Sequence, residues 1–316
     1  MRTSYFAPRP SPLKSLMLGL ATLGLLLSAG AQATALSYFA SFGGSTDDIG
    51  QYPVSPMAWG TYFSGTSADA HGLTVSGDSL YWLEDKNVWS QKTDGSGKTL
   101  LQTFGIAPID LAVDAASGSY FASFGGSTDD IGKYPISPMA WGTFFTGTSA
   151  DAHGMTVAGD KLFWLEDKNV WMENLDGSSK TLLQTFGISP VDLAVDFTSG
   201  YYFASFGGST DDIGKYPLSP MAWGTFFAGT SSDAHGMTVA DGKLYWLEDK
   251  NVWMEDLDGT NKTLLQTFGI APLDLAVFDV PPTPDPEPPT GVPEPATAYL
   301  LVAALLGGGL VRRRVR

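Results

Sequence analysis

The chain has 316 residues, no cysteine and a formal charge of −15, which excludes a disulfide framework and any thiolate metal site. All six arginines lie at the two ends, and between residues 36 and 280 eleven lysines against thirty Asp and Glu leave −19. A body this acidic disfavours nucleic acid and anionic membranes, which need compensating cations, so no nucleic-acid partner is expected, and membrane contact only through the terminal segments.

Residues 1–35 read as a signal peptide. Arg2, Arg9 and Lys14 form a positive start, Leu16–Leu27 is a twelve-residue apolar run, and small residues follow from Ala29 to Ala35. The apolar run is too short to span a bilayer comfortably, and cleavage after Ala33 or Ala35 fits the pattern. The alternative is an uncleaved anchor.

Residues 36–280 are dominated by one unit of 82 residues written three times. Phe39, Phe121 and Phe203 sit in the phrase FASFGGSTDDIG, and Trp82, Trp164 and Trp246 in LYWLEDKNVW or LFWLEDKNVW. A repeat fixes the architecture before any single motif does. Each unit splits into two halves of four short strands. In one half these are Leu73–Val75, Leu80–Leu83, Val88–Lys92 and Lys98–Phe104. In the other they are Leu111–Val113, Ser119–Phe124, Ile131–Ile136 and Ala140–Thr146. Gly, Asp and Ser turns separate them. Pro135 demotes the Ile131–Ile136 strand toward an edge or an irregular segment, and Glu84–Asn87 reads as a polar turn.

Two such halves per unit predict an all-β, six-bladed β-propeller. The first unit lacks its leading DLAVD strand, and Leu273–Val277 is one strand too many at the far end. Ring closure follows if that last strand becomes the innermost strand of the first blade, which leaves few free sheet edges. An open solenoid is the alternative. The phrase LAVD…G…YWLED…DGSGKTLL resembles the YWTD and NHL propeller families, and the former implies six blades. The namesake motif appears here only as Tyr81-Trp82-Leu83-Glu84 and its two copies. Trp82, Trp164 and Trp246 are expected to pack between blades, and the same role is expected of Trp59, Trp141 and Trp223 in MAWGT, with more room for surface exposure.

Three sets of residues could carry chemistry on the loop-rich face. His71, His153 and His235 precede innermost strands of alternate blades and should ring one mouth of the central channel. Neutral imidazole is a ligand for zinc and its neighbours, so these three are the candidate site for a divalent metal ion. The alternative is that each histidine caps the turn before its strand. Streptogramin-lyase-like propellers, which this feature resembles, carry a similar His-Gly as a structural element. Asp47-Asp48, Asp129-Asp130 and Asp211-Asp212 offer oxygen ligands for calcium or are solvated turns with Asx bonds. Three equivalent carboxylate pairs argue against a glycosidase, whose acid and base need different environments.

Beyond the repeats, residues 281–295 form a proline-rich, acidic linker expected to be extended. Residues 296–316 hold an apolar stretch, Ala296–Val311, and then the cluster Arg312, Arg313, Arg314 and Arg316. Basic residues after an apolar segment tend to stay cytoplasmic. The order Pro293-Glu294-Pro295, apolar helix, arginine cluster resembles the PEP-CTERM sorting signal of Gram-negative bacteria. The resemblance implies an exosortase-type processing protease as a partner, and an association with exopolysaccharide and biofilm. A plain tail anchor is the alternative.

The sequence therefore points to an exported binding or scaffold propeller of the cell envelope or extracellular matrix, whose partner is an extracellular polysaccharide or a protein. The competing reading is a propeller lyase or hydrolase with a metal held on the axis by the three histidines. A third is a recently expanded repeat with no evolved ligand.

Overall fold

A computed structural model describes residues 35–280 except 45–47, 127–129 and 209–211. The signal-like segment up to Thr34, the linker, Pro293-Glu294-Pro295 and the arginine cluster lie outside the described residues. Among the described residues no helix is long and apolar enough to cross a membrane.

Among the described residues, twenty-four strands form six antiparallel four-stranded sheets. Blade 1 contains β1 (Ala35–Phe42), β2 (Asp48–Pro53) and β3 (Thr61–Gly65). Blade 2 is β4 (Ala70–Ser76), β5 (Ser79–Glu84), β6 (Asn87–Lys92) and β7 (Thr99–Thr103). Blade 3 is β8 (Asp110–Asp114), β9 (Ser119–Phe124), β10 (Asp130–Pro135) and β11 (Thr143–Gly147). Blade 4 is β12 (Ala152–Ala158), β13 (Lys161–Glu166), β14 (Asn169–Asn174) and β15 (Thr181–Thr185). Blade 5 is β16 (Pro190–Asp196), β17 (Tyr201–Phe206), β18 (Asp212–Pro217) and β19 (Thr225–Gly229). Blade 6 is β20 (Ala234–Ala240), β21 (Lys243–Glu248), β22 (Asn251–Asp256) and β23 (Thr263–Thr267). The last strand, β24 (Asp274–Val280), returns to blade 1 as its innermost member.

The aromatic run in each second strand has a packing cause. That strand is covered on both faces by the neighbouring blades, so it needs apolar residues at consecutive positions rather than alternate ones. β5 is buried along its whole length, whereas in the outer β7 only Leu101 is. Six apolar clusters fill the six blade junctions. Trp82, Trp164 and Trp246 are fully buried at junctions 1/2, 3/4 and 5/6. Burial of a large aromatic side chain stabilises by about 1.5–3 kcal/mol.

Closure follows the expected route. β24 pairs antiparallel with β1, from Ala35↔Val280 to Ser41↔Asp274. The closing strand carries one local change. Where the internal copies have Asp114 and Asp196 entering a turn, β24 has Phe278. Asp114 and Asp196 accept hydrogen bonds from the N–H groups of Ser117 and Ser199 in their turns. No turn follows β24, and Phe278 instead stacks on Phe39 with ring centroids 4.4 Å apart.

Three expectations change. β10 is an interior strand, and Pro135 sits at its end, beyond the last β11 partner of the strand, Lys133. β11 begins at Thr143, which leaves Ala140-Trp141-Gly142 in a loop. Glu84, Glu166 and Glu248 end buried strands rather than standing in exposed turns. Each carboxylate accepts from the N–H and hydroxyl of a serine in the preceding link (Ser67, Ser149 or Ser231) and from the indole N–H of Trp82, Trp164 or Trp246. That satisfies a buried charge that would otherwise be costly.

Candidate functional site

Antiparallel alternation sorts the loops onto two faces. The links between blades and the turns between second and third strands share the upper face. The first-to-second and third-to-fourth connections share the lower face, where Ala35 and Val280 also lie.

The upper face carries the histidines. His71, His153 and His235 are the second residues of β4, β12 and β20. Their Nδ1 atoms lie 3.4, 3.3 and 3.2 Å from the carbonyl oxygens of Asp69, Asp151 and Asp233. Each ring therefore closes back on its own turn. Among the described residues no group of three or more histidines and carboxylates is arranged to hold a metal ion. Asp48, Asp130 and Asp212 begin β2, β10 and β18; their neighbours Asp47, Asp129 and Asp211 lie outside the described residues.

A channel of about 960 Å³ runs along the axis, lined by the innermost strands. The sequence reading did not single out three of the aspartates that line it, Asp110, Asp192 and Asp274. Each opens or nearly opens an innermost strand of an odd blade and spans to the next blade. Its Oδ2 accepts from the backbone N–H of Met155, Met237 or Leu73, each at 2.7 Å. Its Oδ1 accepts from the N–H of the following leucine, again at 2.7 Å. The glycine after each histidine makes room for this bridge. Gly72, Gly154 and Gly236 have φ of 58°, 55° and 54°, a region that favours glycine. Desolvation among the packed strands, with a smaller contribution from the charge of Asp274, pushes Asp110 and Asp192 up to about 7. Asp274 is raised for the same first reason, while the N–H bonds and the nearby His71 and His235 act in the opposite sense. The motif ties junctions 1/2, 3/4 and 5/6 and leaves little of the ring's charge free for a ligand.

The other junctions, 6/1, 2/3 and 4/5, are tied at the outer rim of the lower half by the MAWG loops. Ser55-Pro56-Met57-Ala58 is a turn closed by the Ala58 N–H on the Ser55 carbonyl at 3.2 Å. Proline at its second position and a positive φ at its third are the pattern of a type II turn, whose third position normally takes glycine or asparagine. Here it is methionine: Met57, Met139 and Met221 all have φ of 54°. Their N–H groups donate to Leu265, Leu101 and Leu183 on the outer strands of the preceding blades, at 2.5, 2.5 and 2.6 Å. Gly60, Gly142 and Gly224 lie flat on the rings of Tyr52, Tyr134 and Tyr216, and a Cβ there would overlap those rings. Tyr52 in turn stacks on Tyr38 and meets Phe268 edge-on, with centroids 5.3 and 5.0 Å apart.

Between these two anchors the tryptophan has nowhere to pack. Trp59, Trp141 and Trp223 are 93%, 93% and 94% exposed. This corrects the expectation that they fill the blade junctions. Met57 and Tyr62, with their copies, are also exposed, as are the hydroxyl-bearing Ser55 and Thr61 on either side. A soluble chain ordinarily scatters single apolar residues on its surface. Here one fully exposed indole recurs three times on a loop fixed at both ends and strained at its methionine. The sequence signal lies in the flanking Ser-Pro and Gly, which are turn residues, whereas the usual burial of tryptophan points the other way.

No family model matches the chain, and no curated protein does. Among solved structures, a chain of a crystal structure of a nidogen/laminin complex is similar in fold, with a TM-score of 0.65 at 16% identity. The match covers 78% of this chain and 98% of that one. At that identity the likeness shows the propeller fold alone.

Proposed function

We propose that the protein is an exported, non-catalytic binding module that attaches to a component of the extracellular matrix through its three rim loops. The observation that carries this reading is the near-complete exposure of Trp59, Trp141 and Trp223 on anchored loops. Exposed indoles on a rigid frame combine large contact area with little ordering cost. Backbone strain such as that at Met57 costs about 1–3 kcal/mol per residue and persists where surrounding structure and function hold it. The carboxylates of the channel and the second strands are already occupied by backbone and side-chain donors, which speaks for frame rather than chemistry. A propeller chain found in a complex of nidogen with laminin supports the same class of role.

Export rests on the signal-like start and on the resemblance of the tail to a PEP-CTERM signal, which supports a place in the envelope or matrix of a Gram-negative bacterium and exosortase-type processing as part of this proposal. The test is the variant W59A/W141A/W223A in the full chain, with its circular dichroism and melting temperature compared with the parent. We expect the fold to be kept and attachment to the producing cells' extracellular material to be lost. Attachment equal to that of the parent would overturn the assignment of the rim loops.

A further inference from the structure

We infer that the rim loops are three equivalent stacking sites for a glycan polymer that carries no anionic groups; this rests on the binding role proposed above and names its ligand.

The shape of each site comes first. Trp59 stands between Ala58 and Gly60, so no large neighbour in the chain shields its ring faces, and among the described residues no other ring stacks on it. Binding energy in protein–protein interfaces concentrates in clustered, fully desolvated anchors within a patch of about 800 Å² per partner. A loop that presents one indole, one methionine and one strand aromatic is far smaller than that. It does match a pyranose ring, whose axial C–H bonds carry partial positive charge and seat on the negative face of an indole. Ser55 and Thr61 supply exposed hydroxyls beside the ring for the sugar's own.

Charge decides which glycans fit. Lys98, Lys180 and Lys262 donate to the carbonyl oxygens of Gly65, Gly147 and Gly229 and lie over tryptophan pairs of which one ring is buried and the other half-buried. Lys92 and Lys243 are paired with Asp78 and Asp256. Lys161 donates to Asn174, and Lys133 and Lys215 to the carbonyl oxygens of Leu175 and Leu257. Among the described residues the lysines left over, Lys86, Lys168 and Lys250, sit in the upper-face turns. Asp94, Asp176 and Asp258 keep the lower loops negative, and hydrogen bonds from Ser96 and Ser178 hold Asp94 and Asp176 below the usual carboxylate range. An anionic polysaccharide would meet these carboxylates while most lysine ammonium groups are already held on carbonyl oxygens, carboxylates or indole faces, whereas neutral or amino-bearing sugars meet no such cost.

Repetition completes the case. Three copies of one site are complementary to a ligand that is itself a repeat, because each further contact on the same polymer is intramolecular.

The experiment measures retention of the full-length protein on cellulose (neutral), chitosan (amino-bearing) and alginate gel (anionic). We expect retention on cellulose or chitosan and none on alginate. Each single Trp→Ala variant should weaken apparent affinity by about tenfold, and W59A/W141A/W223A by at least 100-fold, the range that loss of multivalency gives. Retention on neither neutral nor amino polymer overturns the inference, as does stronger retention on alginate. Tryptophan-dependent attachment to the cells' extracellular material that survives periodate cleavage of its glycans also overturns it while leaving the binding role intact. So does tryptophan-dependent self-association in sedimentation. Attachment that ignores the tryptophans overturns both.

Discussion

Phe278 is the residue that adapts an internal strand to the task of closing the ring, and its removal gives a quantitative test. Its side chain is 5% exposed and joins Phe39, Phe63 and Trp82 in the cluster at junction 1/2. Truncation to alanine removes a buried ring and its stacking contact with Phe39 at once. Phenylalanine-to-alanine changes in cores cost about 3–5 kcal/mol, and the stacked pair with Phe39 accounts for about 0.5–1.5 kcal/mol of such a loss. Phe278→Ala should therefore lower stability by about 3–5 kcal/mol in equilibrium unfolding. The loss should also be local first. In native-state hydrogen exchange the amides of β24 and β1 should lose protection well before those of β12 to β15 on the far side of the ring. A loss under about 1 kcal/mol, or exchange that rises evenly in all six blades, would refute the idea that Phe278 seals the ring.

Three further outcomes follow from the same geometry. Gly142→Ala forces the loop off Tyr134 and should cost about 1–3 kcal/mol, lowering the melting temperature and weakening ligand retention together; unchanged retention would show that the loop's anchoring is irrelevant. Glu166→Gln leaves one acceptor oxygen and turns an amide toward a donor in a buried site, so a loss of about 1–3 kcal/mol is expected in denaturant unfolding. Asp110 and Asp192, raised to about 7 from an ordinary 3.8, bind protons more tightly folded than unfolded. Their contribution is thus most favourable at low pH and is lost as pH rises from about 4 through 7. Asp110→Asn should accordingly be penalised more at pH 5 than at pH 8 relative to the parent in thermal melts, and a pH-independent difference would contradict the shift.

The repeat made the architecture legible. A period carrying eight short strands leaves little choice but two blades, and the missing first strand with its surplus copy at residues 273–277 announces the closure. Trp82 was readable as core because it lies within a run of apolar residues, LYWL, that only a strand covered on both faces explains. Trp59 was not, since a tryptophan two residues before a strand looks the same whether the strand extends to include it or a turn holds it out. What decides the matter is contact beyond the loop, the Met57 bond to Leu265 of blade 6 and the Gly60 seat on Tyr52 of its own blade, and such contacts are invisible to local pattern. Asp110 was read only as part of a strand. Its role depends on Gly72, thirty-eight positions earlier, leaving space beside the carboxylate. Glu84 looked like a turn residue because its partners, Ser67 and Trp82, become neighbours only when the link folds over the strand end.

Covalent footprinting of indoles in the full-length protein, free and bound to a retained polysaccharide, tests the role of the rim most directly. Trp59, Trp141 and Trp223 should be modified first in the free protein and become protected together on binding, while Trp82, Trp164 and Trp246 stay unreactive in both states. Unchanged reactivity at the three rim positions on binding, with protection appearing instead on the upper face around His71, His153 and His235, would contradict it.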